Sequence, residues 1–195
     1  ISLGQMKRAL LIVIVLSCIS GLGLVSAATQ TMADFVGFLA LGGLSIIAAI
    51  TYTVGKRPYG YQGLGDISVL TFFGWISVMG SWYLQAHTLI PAIFLPATAC
   101  GLLATAVLNI NNLRDIDSDR ENGKHTLVVR LGPVNARRYH AGLLAGALLC
   151  FALFNLISLH SLWGWLFLLA APLLFKQARY VLRERDPRAM PPMLE

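Results

Sequence analysis

Six apolar stretches, each close to 20 residues long, constrain this chain more than any other feature of its sequence. They lie at about 9–28, 35–54, 67–86, 89–108, 141–159 and 162–178. A helix needs about 20 mainly apolar residues to cross the hydrocarbon core of a bilayer. Only 12% of the residues are charged, whereas soluble domains average about a quarter. The sequence therefore predicts an all-α, polytopic transmembrane helix bundle with six helices in this chain.

The first stretch has one alternative interpretation. Lys7 and Arg8, an apolar run and the small residues around Ala27 are also typical of a signal peptide with its cleavage site. The run is longer than the roughly 7–15 apolar residues of such a peptide. We therefore interpret it as the first span.

The positions of the basic residues predict how the bundle is oriented. All 15 precede the first span, lie at or beyond the end of the sixth, or lie between the second and third or the fourth and fifth spans. They are Lys7, Arg8, Lys56, Arg57, Arg114, Arg120, Lys124, Arg130, Arg137, Arg138, Lys176, Arg179, Arg183, Arg185 and Arg188. Since basic loops stay in the cytoplasm, the polar loops 55–66 and 109–139 are predicted to share the cytoplasmic face. Cations scattered over helix ends do not indicate nucleic-acid binding.

The acidic and amide side chains of segment 111–124 form the candidate catalytic site. In a helix, Asn111, Asp115 and Asp119 would drift by only about 40° per step and share a face, while Asp117 would point to the opposite side. Oxygen ligands in such a row suit Mg²⁺, which binds one or two carboxylates and leaves its other positions to water and phosphate. The spacing therefore predicts a magnesium site.

Basic side chains close to this segment indicate the class of substrate. Arg120, Lys124 and Arg130 can neutralise an anion beside the metal, a combination expected for a diphosphate substrate. A divalent-cation transporter is an alternative, but its ionisable residues belong near the bilayer midplane, and these lie at a helix end. The Asp-Gly-x-x-Ala-Arg signature of CDP-alcohol phosphotransferases is absent. A soluble polyprenyl synthase would lack the six spans.

The other polar loop, 55–66, is glycine-rich and interleaves aromatic and basic residues. By itself it is equally consistent with an anchor at the membrane interface, with tyrosines at headgroup depth. Opposite a metal site it is better interpreted as a second wall of the pocket. Asp66 precedes an apolar run, so taken alone it is more simply interpreted as a helix cap than as a group acting on a substrate hydroxyl.

Two motifs resemble a known family. The first reads Asn-Asn-x-Arg-Asp-x-x-Ser-Asp-Arg-Glu-x-Gly-Lys from residue 111 and closes with Val-Arg-Leu-Gly at 129–132. It is similar to the second aspartate-rich motif of the UbiA superfamily of intramembrane aromatic prenyltransferases, in the wording of its menaquinone branch. The second, from Tyr52-Thr53 to Tyr59-Gly60-Tyr61-x-Gly63-Leu64-Gly65-Asp66 and on to Phe72-Phe73-Gly74, resembles the tyrosine-rich loop of that branch. The likeness covers nearly the whole chain.

The resemblance implies an activity and a location. It implies transfer of a polyprenyl group from polyprenyl diphosphate to 1,4-dihydroxy-2-naphthoate, with loss of the carboxylate, giving demethylmenaquinone in menaquinone biosynthesis. Mg²⁺ would be the cofactor, membrane lipid would surround the chain, and the site would face the cytoplasm from a bacterial inner membrane. Another aromatic acceptor is the alternative within the superfamily. Isoprenoid length and oligomeric state are left open.

The resemblance also assigns roles to residues. The implied metal ligands are Asn111, Asn112, Asp115 and Asp119. The implied diphosphate ligands are Arg114, Arg120, Lys124, Arg130, Lys56 and Arg57. Those implied to face the aromatic substrate are Tyr52, Tyr59 and Asp66, and the catalytic set is Asp115, Asp119, Lys124 and Asp66.

The chain departs from the family pattern in one respect. The family has nine transmembrane helices and a first motif of the type Asn-Asp-x-x-x-Asp, which does not occur in these 195 residues. The six apolar stretches would correspond to helices three to eight. We therefore expect residues 1–195 to form part of a single prenyltransferase domain and to be inactive alone.

Overall fold

The computed structural model describes residues 2–186 and contains six helices long and apolar enough to cross a membrane. With one short helix between the fourth and fifth, the order is α1 (Leu3–Ala28), α2 (Met32–Thr53), α3 (Gly65–Ala86), α4 (Pro91–Arg114), α5 (Ile116–Glu121), α6 (Leu127–Leu159) and α7 (Trp163–Arg183). No strand occurs among the described residues. The prediction of an all-α bundle with six spans is confirmed. Arg188, one of the cations counted above, lies outside the described residues.

The chain divides into two compact units, Ile1–Ala48 and Ala49–Glu195. In the first unit, α1 and the part of α2 that belongs to it bury no residue. Their side chains are apolar nearly all round, the composition of a helix that is solvated by lipid. The second unit contains the buried core and both polar segments.

The core of the second unit lies beneath the acidic segment. One cluster draws on α4, α5, α6 and α7 and consists of Ile110, Leu113, Ile116, Val128, Ala136 and Val181. A second, formed mainly by α4 and α6, consists of Ala106, Leu143 and Leu144. Because α5 contributes Ile116 to the first cluster, the acidic segment is anchored to the bundle rather than free at its surface.

Glycines allow α3 and α4 to approach closely. A methyl group added at Gly74 would lie 2.6 Å from the Ala97 carbonyl oxygen and 2.8 Å from the Cα atom of Gly101. Beside this contact, Trp75 Nε1 donates a hydrogen bond to Thr98 Oγ1 at 3.0 Å. The contact fixes the helix that begins with Asp66.

Segment 109–139, predicted as a loop, is mostly helical. Helix α4 continues to Arg114, α5 follows, and α6 begins at Leu127, where the Thr126 hydroxyl accepts a hydrogen bond from Val129 N at 3.3 Å. Gly132, with φ of 73°, and Pro133 then break the regular geometry of α6. The apolar stretches located the membrane-crossing parts, but polar residues can extend a helix beyond the bilayer, and hydropathy does not register that extension.

Candidate active site

The acidic segment lies where α4 ends and α5 begins. Asp115 stands between them with φ −95° and ψ 9°. The four-residue repeat persists in the backbone, because Asp115 N donates to Asn111 O at 3.0 Å and Asp119 N donates to Asp115 O at 2.8 Å. The spacing on which the predicted metal site depends is therefore present across the junction.

The carboxylates of this segment differ in burial. The Asp119 side chain is 7% exposed and that of Asp115 is 52% exposed. Asp117, predicted to lie on the other side, is 74% exposed and is 3.8 Å from Arg120. Of these three carboxylates, Asp119 is thus the most shielded from water. The four-residue spacing in the sequence does not reveal this difference.

Lys124 is held against the buried carboxylate. Its Nζ lies 2.9 Å from Asp119 Oδ1 and 5.1 Å from the centre of the Tyr61 ring. The hydrogen bond to Asp119 raises the pKa of Lys124, against the opposing effect of partial desolvation. The ammonium group is therefore charged at neutral pH, and it connects the acidic segment with the tyrosine-rich loop.

Hydrogen bonds to backbone carbonyl oxygens join the two polar segments. His125 N donates to Tyr61 O at 2.8 Å. Arg130 Nη2 donates to Gln62 O at 2.6 Å and its Nε to His125 O at 3.1 Å. Gly63, with φ of 78°, lets the loop turn here, where an added methyl group would lie 3.0 Å from Arg130 Nε. We call these contacts of Arg130 and His125 with Tyr61 and Gln62 the loop clamp.

Tyrosines surround the start of α3. The rings of Tyr52 and Tyr59 meet edge to face at 5.3 Å. Methyl groups added at Gly60 and Gly65 would lie 2.8 Å from the Tyr52 ring and 2.9 Å from its hydroxyl. These glycines are therefore required by the close approach of Tyr52. Two predicted acceptor residues, Tyr52 and Tyr59, are in direct contact.

The interpretation of Asp66 as a helix cap is wrong. The residue at the N-cap of α3 is Leu64, no side chain caps that helix, and Asp66 lies inside its first turn. Its side chain is buried and interacts with the Tyr139 hydroxyl of α6. Its carbonyl oxygen accepts from Thr105 Oγ1 of α4 at 3.4 Å.

The remaining predicted cations are more peripheral. Arg114 Nε is 3.3 Å from Asp115 Oδ1, and both side chains are exposed. Lys56 and Arg57 are exposed, and neither forms an ion pair within residues 2–186. The described structure therefore brings Lys124 and Arg130 to the interface between the polar segments and leaves the other predicted cations exposed.

The oxygen ligands of the acidic segment fit a metal that is shared with a substrate. No group of three or more His, Cys, Asp and Glu side chains able to hold a metal occurs among the described residues. Asp115 and Asp119, with the half-buried Asn111 and Asn112, supply the one or two carboxylates and neutral oxygens that Mg²⁺ takes when phosphate and water complete its shell. The residues present suit that form of binding and not an all-protein cage.

The sequence analysis missed Tyr139. It lies just ahead of the apolar stretch 141–159, so hydropathy placed it in a loop. A tyrosine beside His140 at the start of a span was the only available signal. Tyr61 was quoted only within a motif, although its ring and carbonyl oxygen both contact segment 124–125.

Comparison with known proteins shows relatives over nearly the full chain. A family model described as "UbiA prenyltransferase family" matches residues 3–193. The chain is 83% identical over 191 residues to "1,4-dihydroxy-2-naphthoate octaprenyltransferase" of Escherichia coli strain K12, covering 98% of the chain and 62% of that protein. It is 49% identical over 194 residues to the Haemophilus influenzae protein of the same name, covering 100% and 63%. A more distant relative is "UbiA prenyltransferase domain-containing protein 1" of Rattus norvegicus, 32% identical over 147 residues, covering 75% and 42%.

The chain spans just over three fifths of the length of the two bacterial relatives. No solved structure matches it. The six apolar helices and these relatives together identify an integral membrane protein.

Proposed function

Since this chain belongs to the UbiA prenyltransferase family, we propose that the whole protein transfers a polyprenyl group from polyprenyl diphosphate to 1,4-dihydroxy-2-naphthoate. The carboxylate leaves as carbon dioxide, and the prenylated naphthoquinol formed is the reduced form of demethylmenaquinone. The name of the relative that is 83% identical supports this acceptor. The structural observation that carries the proposal is the Asp119–Lys124 pair, whose ammonium group lies over the Tyr61 ring of the tyrosine-rich loop.

The acidic segment is the diphosphate half of this site. Asp115, Asp119, Asn111 and Asn112 would hold Mg²⁺, which when bound would supply positive charge to stabilise the departing diphosphate. Lys124 adds a charge that is already oriented by Asp119. The candidate diphosphate ligands around it are Arg114, Arg120, Arg130, Lys56 and Arg57.

The loop clamp limits what Arg130 contributes. Its Nε and Nη2 groups both donate hydrogen bonds to backbone carbonyl oxygens. Only its Nη1 group and its positive charge are therefore left to interact with an anion. Its main role in the proposed site is to hold loop 55–66 against Lys124.

Tyr52, Tyr59 and Asp66 are the acceptor half. Aromatic side chains offer a flat surface to a naphthalene ring and a negative π face to a cation that forms next to it. The ring carbon that carries the carboxylate forms a bond to C1 of the prenyl group, and the electron pair of the broken C–O bond leaves with the diphosphate. Loss of the carboxylate then restores the aromatic ring.

The membrane explains why the donor is bound from the side. Each methylene of an isoprenoid tail that leaves the bilayer costs about 0.8 kcal/mol, so the tail stays among apolar helix faces while its diphosphate reaches the polar segments. The basic residues at this end place the site, in our proposal, on the cytoplasmic face of a bacterial inner membrane.

Turnover by the complete purified protein tests the function. With polyprenyl diphosphate and Mg²⁺, we expect prenylated product from 1,4-dihydroxy-2-naphthoate, and none after chelation by EDTA. A matched reaction with 4-hydroxybenzoate serves as the control for acceptor class. Prenylation of 4-hydroxybenzoate in place of the naphthoate would overturn the proposed acceptor. Metal flux into vesicles without any prenyl transfer would overturn the enzyme class.

A further inference from the structure

The Asp66 carboxyl group is buried but only partly satisfied. The residue is 6% exposed, and its Oδ1 atom has no hydrogen-bond partner among the described residues. Buried carboxylate oxygens are costly to leave without a donor. An oxygen that is shielded from water yet unpaired in this way indicates a missing donor.

Three helices hold Asp66 in place. It lies in the first turn of α3, Thr105 of α4 donates to its carbonyl oxygen, and the Tyr139 hydroxyl of α6 interacts with its carboxyl group. Gly65 next to it carries no side chain, and a methyl group there would lie 2.9 Å from the Tyr52 hydroxyl. The carboxyl group is thus held from one side, close to Tyr52.

The same segment connects Asp66 to the diphosphate half of the site. Tyr61, five residues earlier, lies under the ammonium group of Lys124. A molecule that contacts both Asp66 and the leaving diphosphate would therefore lie along loop 59–66. An aromatic acceptor with ring hydroxyl groups has the donor that Oδ1 lacks.

We propose that Asp66 Oδ1 accepts a hydrogen bond from a ring hydroxyl of the aromatic acceptor, and that Tyr139 is a positioning residue that orients the carboxyl group for this contact. The inference rests on the proposed function, since it requires a hydroxylated acceptor. It adds a residue of α6 to the site and names the atom that recognises the substrate.

The test is a comparison of Michaelis constants in the complete protein carrying Tyr139→Phe or Asp66→Asn. Losing a hydrogen bond to a charged group should raise KM for the hydroxynaphthoate about tenfold or more. KM for polyprenyl diphosphate should stay within about twofold, because an interaction with one substrate is removed and the other keeps its contacts.

Tyr180→Phe is the matched control. It removes a tyrosine hydroxyl that interacts with another carboxylate, Glu184, to which it donates at 3.4 Å at the end of α7. We expect neither KM to change in this variant. A naphthoate lacking one ring hydroxyl adds a second readout, because the wild type should bind it more weakly than the dihydroxy compound and the Asp66→Asn variant should lose that preference.

Binding can be followed without turnover as well. The naphthoate alone should raise the melting temperature of the wild-type protein and do so less in the Tyr139→Phe variant, whereas inorganic diphosphate with Mg²⁺ should stabilise both equally. Equal increases of both Michaelis constants, or an unchanged preference between the two naphthoates, would show that the pair only ties α3 to α6. If the wild type used another acceptor instead, the proposed function would fail, and the same comparison with that acceptor would still test Asp66 and Tyr139.

Discussion

Asp119 and Asp117 are two residues apart and have opposite surroundings. Asp119 is buried against Lys124, and Asp117 is exposed beside Arg120. We expect Asp119→Asn to lower kcat about 100-fold or more, the size of effect seen when one charge-stabilising group is removed from an active site. Asp117→Asn is the matched control and should change kcat less than threefold. Steady-state assays of the complete protein measure both, and similar losses would contradict the assignment of Asp119 to the site.

Lys124 should matter through its charge. The hydrogen bond to Asp119 raises its pKa, so the contribution of the charged form is complete below the ordinary lysine value and is lost only as the pH rises through the higher value of the folded protein. Lys124→Met should therefore raise KM for polyprenyl diphosphate about tenfold throughout the neutral range, and Lys124→Arg should restore part of the loss. The exposed Lys176→Met is the control. A rate that falls with pH between 7 and 9 in the wild type but not in Lys124→Met would argue against a raised pKa.

For single residues, the sequence indicated which side chains to consider but not how buried each of them is. The acidic repeat was visible in the spacing of Asn111, Asp115 and Asp119, but their unequal burial depends on how α5 packs against α6. Taken alone, Asp66 was interpreted as a cap because a carboxylate ahead of an apolar run fits that role, and only the family resemblance placed it in the site. Its contact with Tyr139 spans 73 residues of sequence, a separation at which local patterns carry no information.

At the scale of helices, the α3–α4 contact is the most exacting. A methyl group at Gly74 would overlap the Ala97 carbonyl oxygen, so we expect Gly74→Ala to destabilise the protein by about 1–3 kcal/mol, as overpacking does. Gly142→Ala, where nothing lies within 4 Å of the added methyl group, should leave stability unchanged or slightly higher, because alanine is the better helix former. Thermal unfolding of the purified protein in one detergent compares the two. An equal effect of both substitutions would mean that α3 and α4 pack differently.

The apolar, membrane-crossing parts of the helices could be predicted from hydropathy. All six spans were located, because about 20 apolar residues have few other places to fold. The starts of α3 and α6 were missed by two and 14 residues. Helix α3 opens with Gly65 and Asp66, and the part of α6 before residue 141 contains Arg130, Arg137 and Arg138, so both starts lie outside the apolar runs. The residue types of Gly132 and Pro133 predict a break in the helix. They do not predict that the helix resumes directly after it.

The whole molecule should present its two polar segments on one side of the membrane. In a variant without native cysteines, Gln62→Cys and Asn122→Cys should react with an impermeant maleimide only from the cytoplasmic side, because basic loops are retained there. Thr88→Cys, in the turn between α3 and α4, should react only from the opposite side. Inverted and right-side-out vesicles give the two measurements. Reaction of Gln62→Cys and Asn122→Cys from different sides would contradict the topology.

The loop clamp constrains the sequence unevenly. Gln62 and His125 contribute only backbone carbonyl oxygens to the contacts of Arg130, so many side chains can occupy those two positions. Arg130 contributes a rigid fork of donors that lysine cannot reproduce. In a saturation library selected for restored growth of cells that depend on the quinone, position 130 should accept arginine almost alone, whereas 62 and 125 should tolerate wide variety. A residue that accepts a hydrogen bond through its backbone can therefore change its side chain without losing the bond. The residue that donates through its side chain cannot.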